Sequence, residues 1–206
     1  MTKTTLVEKL FLILTLVTFV WSGIQPHDYP TWGLEVFPAI IGFALIAYTW
    51  NSFRLSAFLL VMICIHSMIL FLGGHYTYAE VPVGKWVQEI FGFSRNHYDR
   101  LGHFYQGFAP AFLAREILLR KKILKDDAWL KFIVISICLG FSAFYELIEF
   151  AVAMIMNSSA DAFLGTQGDI WDTQKDMLFA LIGSLSAFTL TRWHNLSIQK
   201  STHKHN

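Results

Sequence analysis

Apolar residues in this chain come in long unbroken runs rather than in alternation with polar ones. A helix needs about 20 mostly apolar residues to cross the hydrocarbon core of a bilayer. Only helices and closed barrels satisfy their backbone there, and barrel strands alternate, so the runs predict helices. Six spans follow, at 8–24, 33–50, 55–73, 101–119, 132–156 and 172–193. The fourth, LGHFYQGFAPAFLAREILL, is amphipathic and less apolar than the others. Spans of that length fill roughly 120 positions, which leaves no room for a soluble domain. The expected fold is all-α: a polytopic membrane protein with about six transmembrane helices in one bundle, and residues 1–206 forming a single integral membrane domain.

Two segments lie outside the spans. The loop 74–98 contains GKWVQEIFGF, with Trp86, Val87, Ile90 and Phe91 near one side and Lys85, Gln88 and Glu89 towards the other. That pattern predicts a short helix lying in the interface, either anchoring the loop or covering the outer ends of the spans. Residues 194–206 read as a polar tail, with no role for His203 and His205.

The first span resembles a signal peptide in having Lys3 and Lys9 before an apolar stretch. Its apolar core is long, however, and Val20, Trp21, Ser22 and Gly23 offer no cleavage pattern of small residues, so it reads as a retained helix. Basic residues then set the orientation. With a cytoplasmic N-terminus, that side holds Lys3, Lys9, Arg54, Arg115, Arg120, Lys121, Lys122, Lys125, Lys131, Arg192, Lys200 and Lys204. The other side keeps Lys85, Arg95, Arg100 and Lys175. Both termini are therefore expected in the cytoplasm. The basic cluster between spans four and five also suits a phosphate or a partner, but orientation accounts for it.

Composition agrees with a membrane protein. Charged residues make up 15% of the chain, against about 25% in soluble domains, and mean hydropathy is +0.46. The net charge of +1 argues against a nucleic-acid partner. Cys64 and Cys138 fall inside different spans and read as free buried thiols.

Ionisable residues inside spans are costly and invite a functional explanation. Here they gather. Asp99 and His103 open span four at i and i+4, with Gln106 a turn deeper. Span five carries Glu146 and Glu149 at i and i+3, with Ser142 on the same face. Asp169, Asp172 and Asp176 introduce span six at i, i+3 and i+7. Each spacing keeps the polar groups on one helix face. The predicted topology places all three sets near the outer surface, with His75 and His97 in the same layer and His66 about two turns beneath. The six carboxylates carry a formal charge of −6, with Arg95 and Arg100 the nearest cations. Such charges repel strongly in a low dielectric, so they require protons, arginine partners or a metal. Mixed carboxylate and imidazole ligands suit Zn, Mn or Fe, and all-oxygen subsets suit Mg or Ca.

Plainer roles exist for each group. Glu146 and Glu149 can pair with Arg100 and Lys175 or hydrogen-bond across helices. Asp169 and Asp172 suit the start of a helix. His75 and His97 suit an interfacial loop, and His66 a hydrogen-bonded core.

The motifs GGHYTY (73–78), RNHYDRLGHF (95–104), YELIEF (145–150) and GDIWDTQKDM (168–177) make the sequence resemble the YjdF-type family of bacterial inner-membrane proteins. That resemblance runs over nearly the whole chain and implies a multi-pass inner-membrane protein, without naming a chemistry. A weaker similarity reaches the VanZ-like membrane proteins, which are linked to glycopeptide tolerance at the cell envelope. Asp99, Arg100, His103 and Phe104 match their acidic-basic pair before His-Phe, and Glu146 matches the Glu on their next helix. Asp169, Asp172 and Asp176, followed by Gly183, match the acidic opening of their last helix. Glu149 and Asp176 depart from that pattern, which has Gln and Asn there, and the added acidity favours a cation.

Two functions are expected from this pattern. One is a metal-assisted enzyme acting near the outer leaflet on a lipid-linked or envelope substrate. Asp99, His103, Glu146, Glu149, Asp172 and Asp176 would be its ligands, with weaker claims for His75, His97 and Asp169. Glu149 and Asp172 would be acid/base groups. The other is a non-catalytic membrane protein, either a cation- or proton-coupled transporter or a structural partner of an envelope complex.

Overall fold

The computed structural model describes residues 5–156 and 166–202. His203 and His205 lie outside the described residues. Helix α1 (Leu6–Ser22) starts at a capping box, in which Thr5 accepts from the Glu8 backbone N–H and Glu8 accepts from that of Thr5. Helix α2 (Tyr29–Thr49) is capped by Asp28, which accepts from the Thr31 N–H at 2.7 Å. Ser56 caps α3 (Ala57–Tyr76). The segment between α3 and the next long helix contains the expected short helix, α4 (Pro82–Phe91), which stops at Gly92, whose φ of 65° needs no side chain in the way. Then come α5 (Tyr98–Arg120), α6 (Ala128–Met156) and α7 (Asp172–Ala187). A single 3₁₀ turn, Phe188–Leu190, leads into α8 (Thr191–Thr202).

The molecule is apolar outside and charged inside. Phe37, Ile40 and Leu45 of α2 and Phe141, Phe144, Leu147 and Phe150 of α6 stand exposed, while Arg115, Glu116, Arg100, His103 and Asp176 are buried. A soluble protein has the reverse arrangement, whereas lipid makes this one the stable choice. Helices α2, α3 and α6 are each long and apolar enough to cross a membrane. α5 and α7 are more polar because their charged faces point at each other.

Their pairing organises the bundle. A Cβ placed on Gly107 of α5 would lie 1.8 Å from the carbonyl oxygen of Ala180, and one on Gly183 of α7 would lie 2.0 Å from that of Phe104. Backbones this close characterise small-residue helix interfaces in membranes. α6 packs against both helices, α3 packs against α5, and α1 and α2 pack on α3. Leu59, Phe112, Leu130, Val134 and Cys138 form the main apolar core. Cys64 and Cys138 are free and buried.

The last segment departs from expectation. Residues 191–202 continue as helix α8, and His194 is fully buried rather than part of a solvated tail. Ser197 on the same helix accepts a hydrogen bond from the Phe58 N–H at 3.0 Å, supplying one of the unpaired donors at the start of α3.

Candidate functional site

The carboxylates of the three acidic helix faces converge at one end of the bundle. Arg100, one residue after Asp99 on α5, projects into the first turn of α7, where its guanidinium binds Asp172 and Asp176. It also lies 3.3 Å from Asp169 and 3.6 Å from Asp99. Arg95 approaches the same group from the preceding loop, with Asp172 Oδ1 at 2.5 Å and Asp99 Oδ2 at 3.6 Å. Two planar guanidinium forks thus bridge four aspartates, a geometry that lysine does not reproduce.

Loop chemistry fixes where Arg95 stands. The neighbouring Asn96 is fully buried, and its amide donates to the carbonyls of Ala79 and Val81 at 3.1 Å each. Its side-chain oxygen accepts from the Tyr98 N–H at 2.9 Å, and its backbone exchanges two hydrogen bonds with Gln167. The segment before α5 is therefore tied both to the approach to α4 and to the approach to α7.

His103 occupies the centre. Its Nε2 lies 3.4 Å from Asp99 Oδ1 and 3.6 Å from Asp176 Oδ1. Its Nδ1 meets the Gln106 side-chain oxygen at 3.0 Å and lies 3.7 Å from Glu146 Oε1. With Nδ1 turned to Gln106, Nε2 is directed at the two aspartates. One ligand atom from each of Asp99, His103 and Asp176 falls within a 4.8 Å set, all three residues being buried. Glu146 Oε1 is buried without a hydrogen-bond partner.

Beside this group lies a pocket of about 70 Å³, lined by Glu149 and Tyr145 of α6, His66 of α3, Glu35 of α2, Tyr78, and Asp99 and His103 themselves. Tyr78 fits there because Gly73 and Gly102 leave room for its ring.

The remaining candidates take the plainer roles. His75 is directed away from the aspartates: its Nδ1 pairs with the Ser22 carbonyl at 3.0 Å, and its ring packs against Trp21 and Tyr76. His97 stands at the N-cap of α5 with its ring edge on Phe93. Burial and then the positive charges of Arg95 and Arg100 push its pKa down. Asp169 caps the approach to α7 through the Trp171 N–H and pairs with Lys175 at 2.7 Å. The Lys175 hydrogen bond, foremost, holds its carboxyl below the usual range. Glu146 and Glu149 do not take Arg100 and Lys175 as partners, since those cations serve the aspartates. Asp172 Oδ1 is shared by both guanidinium groups.

Sequence reasoning missed two features. Glu35 is buried at 3% exposure and faces the pocket from α2. A lone carboxylate in an apolar span was the available signal. At the opposite end of the bundle, Glu116 accepts from Ser56 Oγ at 2.6 Å, Arg120 at 2.7 Å and His194 at 2.9 Å. Arg115 joins His194 to Asp126. Arg115 reads in sequence only as an orienting charge, and His194 as tail.

The chain was compared with known proteins. The family model described as Predicted membrane protein (DUF2238) matches residues 7–196. The chain is 49% identical over 184 residues to the Inner membrane protein YjdF of Escherichia coli (strain K12), covering 89% of this chain and 88% of that protein. No solved structure matches. The resemblance read from the four motifs is thereby established: the chain belongs to the DUF2238 family of predicted membrane proteins and is a multi-pass protein of the bacterial inner membrane.

Proposed function

We propose that this protein is a membrane-embedded, metal-assisted enzyme acting on a lipid-linked or envelope substrate near the outer leaflet. The carrying observation is the buried set of Asp99, His103 and Asp176, contributed by two helices locked backbone to backbone. Gln106 holds the His103 ring by Nδ1, as partners of metal-bound imidazoles commonly do. Two carboxylates and one imidazole suit Zn or Mn, and an oxygen-richer set that includes Glu146 suits Mg.

A bound divalent ion would act as a Lewis acid on a substrate oxygen and lower the pKa of a bound water. Glu149 lines the adjoining pocket, where it would serve as the general base. Arg95 and Arg100 hold the aspartates in place. The orientation expected from the basic residues puts this end of the bundle on the outer side.

A chamber is favoured over a conduit by the aromatic packing behind the site. Phe104, Phe108 and Phe112 pack in succession along α5 towards the opposite end.

The test begins with Mn²⁺ titration of detergent-purified protein, followed by electron paramagnetic resonance. One ion per chain is expected, with at least tenfold weaker binding in Asp99→Asn and Asp176→Asn. Inner-membrane lipid extract incubated with the Mn²⁺-loaded protein should give a new product by mass spectrometry, absent with Glu149→Gln. Folded wild type that binds no divalent ion overturns the metal; product formed equally by Glu149→Gln overturns its role as base.

A further inference from the structure

The pocket beside the aspartates continues sideways. α2 packs on α3, and α6 packs on α5 and α7, but among the described residues α2 and α6 share no packed seam. The pocket is lined from both helices, by Glu35 and Pro38 of α2 and by Tyr145 and Glu149 of α6. Phe37 and Ile41 of α2 and Ile148 of α6 stand exposed on the two helices. An apolar tail can lie along those side chains while a polar head enters.

The lining specifies the head. Three carboxylates, Glu35, Asp99 and Glu149, reach the pocket, while Arg95 and Arg100 are engaged with the aspartates and do not line it. His66 also lines the pocket, and its Nε2 is buried with no hydrogen-bond partner. Tyr78 and Tyr145 add to the lining. A phosphate would meet three carboxyl groups and no lysine or arginine in the lining. A pocket of about 70 Å³ holds roughly five waters, room for an ammonium group and a carbon or two but not for a sugar.

We infer that this pocket receives the ammonium headgroup of a membrane amphiphile that enters between α2 and α6. Glu35 and Glu149 pair with the cation, and His66 Nε2 accepts one of its N–H groups. This names the substrate class of the proposed reaction chamber and rests on that reading only for what happens after binding. Glu35 belongs to no part of the proposed metal set.

Native mass spectrometry of metal-free protein released from detergent tests it, with dodecylamine, dodecyl phosphate, dodecanol and ethylamine as probes. Dodecylamine should bind at least tenfold more tightly than each of the others. Glu35→Gln should lose at least tenfold of that affinity while keeping the wild-type unfolding midpoint and Mn²⁺ binding. If that variant does not fold, Glu149→Gln is expected to show the same loss. Equal binding of dodecyl phosphate overturns the cationic preference, and equal binding of ethylamine overturns the membrane source. An unchanged affinity in a folded Glu35→Gln overturns the site. Asp176→Asn should abolish Mn²⁺ binding and leave dodecylamine binding intact, so a failure of the metal reading is seen separately from a failure of this one.

Discussion

Gly107 of α5 and Ala180 of α7 touch backbone to backbone: a methyl group on residue 107 would sit 1.8 Å from the Ala180 carbonyl oxygen. The obstacle is main chain, so a rotamer change cannot relieve it. Gly107→Ala should therefore push the helices apart and destabilise the protein by about 1–3 kcal/mol. Unfolding in mixed micelles of rising SDS content measures this. An Ala variant as stable as wild type would show that the two helices stand farther apart.

Arg100 holds Asp172 and Asp176 together. Arg100→Gln should cost about 3–5 kcal/mol, because it strands buried charges rather than merely removing a bond. Arg100→Lys should recover only part of that, since one ammonium cannot bridge several carboxylates as a fork does. Combining Arg100→Gln with Asp176→Asn should restore part of the loss. Simple additivity in this double-mutant cycle would contradict direct coupling.

Asp169 is paired with Lys175 at the surface, and its carboxyl is held below the usual range. A lowered carboxylate pKa means that the contribution is complete above about pH 4, the ordinary value, and is lost as the pH falls through the lowered one. Lys175→Met should move the Asp169 titration back upward. Carbon-13 NMR of labelled aspartate follows it directly, and an unmoved titration would remove Lys175 as the cause.

The cluster at the opposite end makes a separate claim. Glu116 accepts from Ser56, Arg120 and His194 while fully buried. Glu116→Ala should cost about 3–5 kcal/mol by leaving Arg120 and Ser56 short of a partner. Dodecylamine and Mn²⁺ affinities should stay at wild-type values in whatever fraction folds. A change in either affinity would mean that the two ends of the bundle are coupled.

α4 exposes Trp86, Ile90 and Phe91. Its Trp86 emission should be quenched by lipids brominated near the headgroup and restored when Ile90→Asp weakens the seat. Equal quenching by bromines at the chain ends would place the helix deeper.

How much of this was readable in the sequence depended on range. The helix faces bearing Asp99 and His103, or Asp172 and Asp176, follow from spacing within one segment, and the structure brings them together. Glu35 is a single residue with no periodic companion, and only the packing of α2 on α3 turns it towards Tyr78. The partnership of Glu116 with His194 spans 78 positions, and nothing local announces it. Arg100 was visible as the nearest cation, but its reach to Asp169, Asp172 and Asp176, 69 to 76 residues away, was not.

The close seam between α5 and α7 also constrains the order in which the bilayer receives the chain. α5 carries Asp99 and Arg100 in its first turn and Arg115 and Glu116 towards its end. The helix that neutralises much of that charge is made later, after the whole of α6. Arg100 of α5 therefore meets Asp172 and Asp176 only once α7 has been made. The two polar helices settle in lipid as a pair, and a break introduced between them should strand the first.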